Sequence, residues 1–192
     1  TTLSKMRVSV KRVDPDFRFP LGLTSLTLTI SDGSVDIALL TPLTHLQQLV
    51  LSVPTGSDPL DLSGLTTLKT LDADKSPVVR LPLSLVGCTV LLQSDTDFAS
   101  FSRLTALGVS LGLDISVTFP TGLKALFVEE GALGITNIAT VALETFKSGW
   151  RRQITQEDLE KLPKTLKKVN GTFESRALEG RLTELFHLLE RT

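Results

Sequence analysis

Leucines recur along the chain in a phrase whose spacing closes from three residues to two. In LTHLQQLVLSV, from Leu43 to Val53, the apolar positions are Leu43, Leu46, Leu49, Leu51 and Val53. The last three alternate strictly with polar or outward residues, which predicts a short strand with one buried face. Marking the first apolar residue of each such phrase gives Leu3, Leu23, Leu46, Leu68, Leu85, Leu104, Leu123, Leu143 and Leu166. The steps between them run from 17 to 23 residues. Self-similarity at that period predicts a solenoid, in which each turn buries its leucines against its neighbours and the strands line up as one parallel sheet. Leu3 and Leu143 open the most degenerate phrases, LSKMRVSV and LETFKSGW.

Several turns read FPLGLTSLTL, LPLSLVGCTV, FPTGLKALFV and LPKTLKKV, with an apolar-Pro pair three residues before the first leucine. Over nearly its whole length the chain resembles the leucine-rich repeat family, and these turns are similar to the short LP-type repeats of secreted bacterial effectors. Others, LTPLTHLQQLVL and LSGLTTLKTL, resemble ordinary intracellular repeats such as those of phosphatase regulators. The resemblance implies an α/β solenoid, a right-handed coil with a parallel concave β-sheet and little helix before the C-terminus. The family usually places Asn, sometimes Cys, eight residues after the first leucine. Here those positions hold Lys11, Ser31, Pro54, Ser76, Gln93, Gly112, Gly131, Arg151 and Glu174, so the asparagine ladder is missing. Apolar residues instead extend the alternation, as in Leu26-Leu28-Ile30 and Leu107-Val109-Leu111, which predicts longer strands closed by Ser, Gly and Pro. A general β-solenoid is the alternative architecture.

The linking halves carry alternation of their own, at Val35, Ile37 and Leu39 and again at Ile115, Val117 and Phe119. Pro20, Pro42, Pro82 and Pro120 argue against long helices before the next strand. All nine Glu lie from Glu129 onward while eleven of the twelve Asp precede it, a shift from turn-forming to helix-forming acids. Thr155 to Leu162 is expected to form a short helix with Thr155 as N-cap and Asp158 reaching back, ended by Pro163. The solenoid is thus assigned to residues 1–174. The segment 175–192, with Leu178, Leu182, Leu185, Phe186 and Leu189 on one helical face, is assigned as its amphipathic cap; its alternative role is the first helix of a further domain.

Composition narrows the function more than it names it. A net charge of −1 gives no polyanion-binding signal, so no nucleic-acid partner is expected. No apolar run approaches a membrane span, and membrane insertion is not expected. A single cysteine, Cys88, cannot form an internal disulfide and sits at an inward position, as a packing thiol. With no signal peptide visible, an intracellular, cytoplasmic location is expected; the Thr-Thr start suggests a fragment of a longer protein. The sequence assigns no oligomeric state.

Catalytic sets are scarce. His45 and His187 have no partner at metal-ligand spacing, and neither GxGxxG nor GxxxxGK[ST] occurs, so no cofactor and no metal is expected. Asp72 and Asp74, two residues apart on one strand, are the best pair of acids for acid–base work. Asn170-Gly171-Thr172 fits the glycosylation sequon and is discounted for want of other secretory signals. Trp150-Arg151-Arg152 is read as a packed cluster, and Lys161, Lys164, Lys167 and Lys168 as a solvated face.

The outward residues of the strands remain. The central ones are Arg7, Thr27, Val50, Asp72, Thr89, Gly108, Phe127, Lys147 and Asn170, flanked by Asp74, Leu91 and Glu129 among others. Leu91 and Phe127 are apolar where solvent is expected, a pattern that suits a protein-binding anchor. The expected function is a non-catalytic protein-interaction module that holds a protein partner on the concave sheet through Thr27, Val50, Asp72, Asp74, Thr89, Leu91, Phe127, Glu129 and Lys147. The module would serve as a recognition domain of a larger protein. The alternatives are a carbohydrate-active β-solenoid enzyme using Asp72 and Asp74, and a purely structural self-assembling repeat.

Overall fold

A computed structural model describes residues 3–173, apart from 15, 34, 55–56, 94, 112–114, 130–133, 136–137, 150–152, 157–159 and 161. The 175–192 cap, His187, the Trp150-Arg151-Arg152 cluster and the Asp158 cap interaction lie outside the described residues.

Each leucine phrase becomes one strand of a single parallel sheet. The strands are β1 (Lys5–Val10), β2 (Ser25–Ile30), β3 (Gln48–Ser52), β4 (Thr70–Arg80) and β5 (Gly87–Leu92), followed by β6 (Ala106–Leu111), β7 (Ala125–Val128), β8 (Thr145–Ser148) and β9 (Lys168–Asn170). Every strand pairs with the next in chain order, and every pairing is parallel. The protein is a leucine-rich-repeat-like parallel β-solenoid with almost no helix among the described residues. On the opposite side lies a smaller parallel sheet of Thr96–Asp97, Ser116–Thr118 and Gly134–Ile135. Leu60–Asp61 pairs there with the end of β4.

The alternation dictates which face is buried. Leu26, Leu28 and Ile30 of β2 point inward, as do Leu49 and Leu51 of β3 and Leu107 and Val109 of β6. The first leucines Leu23, Leu46, Leu68, Leu85, Leu104, Leu123 and Leu143 are fully buried, so one continuous apolar core runs through the stack. Burial of each such side chain is worth about 1.5–3 kcal/mol, and several per turn hold a coil that no single turn could. Leu3 departs from its expected inward role: it is 52% exposed, because it stands at the outer end of the stack with no described turn over it.

Pairing is enforced by a repeated backbone contact at the entrance to each strand. The Ser4 carbonyl accepts from both Thr24 and Ser25 N–H, and the Thr24 carbonyl from both Gln47 and Gln48. The same two-donor contact recurs at the carbonyls of Gln47, Lys69, Val86, Thr105, Lys124 and Glu144. Side-chain hydroxyls reinforce this edge. Thr24 Oγ1 donates to Ser4 O (3.0 Å), Ser84 Oγ to Leu68 O (2.7 Å) and Thr165 Oγ1 to Leu143 O (2.9 Å). Before the contact comes a turn closed by the N–H of the first leucine onto the residue three back, as in Leu23 to Pro20 and Leu123 to Pro120. The Pro fixes that turn's φ and lacks the donor that the turn does not use.

Serine stands at two of the positions where the family places asparagine, Ser31 and Ser76, and at Ser76 its hydroxyl takes over the bonding. Ser76, eight residues after Leu68, is fully buried; its hydroxyl accepts from Val53 N–H (3.0 Å) and donates to Leu51 O (3.1 Å). To deliver that hydroxyl, β4 breaks register. Ala73 faces Val90, and the next pair is Pro77 with Leu91, so Asp74, Lys75 and Ser76 are extra. Turn exits elsewhere use aspartate. Asp36 accepts from Ala38 N–H (2.9 Å), Asp61 from Ser63 N–H (3.0 Å) and Asp97 from Ala99 N–H (2.8 Å). The alternation at Val35, Ile37 and Leu39 falls on a single 3-10 turn, Ile37–Leu39, which the Asp36 contact opens. The matching alternation at Ile115, Val117 and Phe119 does form a strand, Ser116–Thr118.

Ser76→Ala strips the partner from a buried N–H and a buried C=O at once. The expected loss is about 1–3 kcal/mol of unfolding free energy in urea titration, whereas a loss near zero would show that the hydroxyl holds nothing.

Candidate partner-binding face

The parallel register carries the central outward residues into one row. Arg7 stands beside Thr27, Thr27 beside Val50, Val50 beside Asp72 and Asp72 beside Thr89. The row continues through Gly108, Phe127, Lys147 and Asn170. A second row runs alongside through Gln48, Thr70, Gly87, Ala106, Ala125 and Thr145. Between them the sheet face hollows into an open groove of about 610 Å³, lined from Ser25 to Lys147.

The hollow has a physical cause. Gly87, Ala106, Gly108 and Ala125 are small, and they sit together on adjacent strands. At Gly108 a Cβ would stand 2.9 Å from the Thr89 side chain, so any larger residue there would have to push that threonine aside. At Gly149, which follows β8, the neighbour is backbone: a Cβ would fall 2.6 Å from the Glu129 carbonyl oxygen, so glycine is required there. On the groove walls Val50 is 40% exposed, and Phe127 is half-buried beneath Lys147, whose Nζ lies 5.0 Å from the ring centroid. That cation–π contact holds the aromatic ring and a positive charge side by side.

Five of the nine residues expected to meet a partner therefore line one groove: Val50, Asp72, Thr89, Phe127 and Lys147. The other four lie outside its lining. Thr27 precedes Val50 in the central row. Leu91 is half-buried between Pro77 and Ser110, and Glu129 follows β7 with its N–H given to Val109 O. Asp74 drops out of the paired register because the Ser76 anchor pulls the chain out of line. Sequence reasoning missed Gly87, Ala106, Ala125 and Thr145 as groove residues; their signal was the recurrence of a small residue two places after the first leucine.

Partial burial pushes the Asp72 carboxyl above its ordinary range, and the neighbouring Asp74 charge adds to the rise; the Asp74 backbone N–H and Lys75 oppose it. The row neighbours of Asp72 are Val50 and Thr89, so no further carboxylate stands beside it there. No group of three or more His, Cys, Asp or Glu that could hold a metal is found among the described residues. His45 is exposed on the turn before β3. Cys88 lies beneath the groove, buried as expected, and its burial lifts the thiol to about 12.

No protein-family model matches the chain. No curated protein matches it either. Among solved structures it is similar to an internalin from Listeria monocytogenes, at 18% identity and a TM-score of 0.49. That similarity covers 82% of this chain and 65% of the internalin chain, just under two thirds of the latter.

A buried thiol that stays protonated has a pH signature. Its folded pKa, about 12, exceeds the ordinary 9.0, so its contribution is complete below pH 9. The contribution falls between those values, because only the unfolded chain gains charge there. Denaturation midpoints should decline more steeply above pH 9 in the native sequence than in Cys88→Ala. In the folded protein Cys88 should also resist iodoacetamide at pH 8 and react once denatured. Equal slopes and fast labelling would contradict the burial.

Proposed function

We propose that the solenoid is a non-catalytic recognition module that holds a protein partner against the groove of the main sheet. The observation that supports this most is the apolar groove itself. Val50 and Phe127 stand on its walls, small residues form its floor, and Asp72 and Lys147 place opposite charges along its length. An aromatic anchor beside a cation, framed by small and hydroxylated side chains, is the composition of a protein-binding hot spot. Opposite charges along one axis would orient the partner. The parallel stack supplies a rigid platform, so little ordering entropy is lost on binding. The inference from a repeat fold to binding is an analogy, and the chemistry of the groove is what gives it content. We extend the reading to a recognition domain within a larger protein.

Phe127→Asp places an unpaired carboxylate where the anchor would be buried. Proteins captured from an extract by the unaltered chain should bind the variant at least tenfold more weakly, with circular dichroism showing the fold intact. They should be retained by Leu83→Asp, which alters an exposed leucine outside the groove lining. Retention by Phe127→Asp together with loss by Leu83→Asp would move the site off the groove.

A further inference from the structure

Charge is unevenly spread around the main sheet. The chain enters β3 to β7 through residues 42–48, 63–70, 81–87, 98–106 and 119–125, and none of these stretches holds Asp or Glu. Their charged residues are Lys69, Arg103 and Lys124, joined by His45, and all four are exposed. Stacking gathers them on one flank, where the shared-carbonyl contacts step from Gln47 to Lys69, Val86, Thr105 and Lys124. Toward the exits of the same strands stand Asp74, Asp95 and Glu129, with Lys75 beside them. Arg80, further on, is paired with Asp61 at 3.7 Å. The exit flank is therefore mixed and mostly acidic, and the entrance flank carries one sign only.

His45, Lys69 and Arg103 meet at a recess of about 210 Å³ whose other lining residues carry only amides and hydroxyls. Lys69 Nζ gives one N–H to Gln47 Oε1 (3.2 Å) and, as an ammonium, has two more. No ion pair of Lys69, Arg103 or Lys124 occurs among the described residues. The next turn brings Glu144 beside Lys124, but its carboxylate is held by Lys167 at 3.1 Å, and the strip ends there. From His45 to Lys124 is a rise of four sheet spacings, about 19 Å, too long for one phosphate or carboxylate group and suited to a chain carrying several. The strip also borders the groove: Lys69 precedes Thr70 and Lys124 precedes Ala125, both in the groove lining. A protein seated in the groove passes over these cations.

We infer that the strand-entrance flank binds an acidic segment of the protein held in the groove, its carboxylates meeting Lys69, Arg103 and Lys124. The inference rests on the groove as a protein-binding site and names the chemistry of the partner there. The acids at the strand exits repel the same segment, so the two flanks together fix which way round the partner sits.

The full 192-residue chain is titrated against fluorescein-labelled octaglutamate, followed by anisotropy. The peptide should bind saturably at low salt and weaken as salt rises. Lys69→Glu and Arg103→Glu, both at exposed positions, should each weaken it at least fivefold. Lys75→Glu makes the same change of charge on the exit flank and should stay within twofold of the unaltered chain. Phe127→Asp should leave octaglutamate binding unchanged. Among proteins captured from an extract, release by Phe127→Asp but not by Lys69→Glu would overturn the acidic-segment inference and leave the groove reading standing. Release by Lys69→Glu but not by Phe127→Asp would overturn the groove reading instead. The inference also falls if octaglutamate shows no saturable binding up to millimolar, if Lys69→Glu and Lys75→Glu bind it equally, or if octathymidylate binds more tightly, which would assign the strip to nucleic acid.

Discussion

A single backbone carbonyl, shared by two N–H groups of the following turn, sets the geometry on which the rest of this protein depends. It occurs at the entrance of every strand after the first, from Ser4 O through Glu144 O. Because the contact is made by main chain, it tolerates turns of 17 to 23 residues: whatever the linking half does, the next strand starts in the same place. The leucines supply the energy of stacking, but apolar contacts are non-directional. The shared carbonyl supplies the register, and the register turns nine separate outward residues into one row.

Much of this was legible because the repeat encodes it twice. The leucine spacing gave the strand positions, and the strict period of two then decided which side each residue faces. The row from Arg7 to Asn170 could be written down from the first leucines alone, and the pairing follows it at each step. What could not be read were contacts that depend on one hydrogen bond. Val35-Ile37-Leu39 and Ile115-Val117-Phe119 have the same alternation, and the Asp36 carboxylate on Ala38 N–H makes the difference between a 3-10 turn and a strand. Asp74 keeps the correct parity with Asp72, yet the buried Ser76 hydroxyl displaces it from the ladder. Leu3 has the right spacing, and no described turn covers it.

The groove illustrates the same limit from the other side. Large outward residues attract attention in a sequence, and Phe127, Lys147, Val50 and Asp72 were found that way. A groove, however, is made by what is missing. Gly87, Ala106, Gly108 and Ala125 create it by leaving room, and Gly108 does so because Thr89 crowds the space a side chain would need. Absent side chains carry no chemical signal, so only the shared phase of Gly87, Ala106 and Ala125, two places after the first leucine, could have exposed them.

The stacking that aligns the row can be measured as one distance. Spin labels at Thr27→Cys and Asn170→Cys can be attached selectively, since Cys88 is buried and its thiol is raised to about 12. Seven sheet spacings of about 4.8 Å separate the two positions, or about 34 Å before curvature and label length. Double electron–electron resonance should return one narrow distribution near that value. A broad distribution, or one centred beyond about 45 Å, would mean that the turns do not stack in this register and that no continuous groove exists.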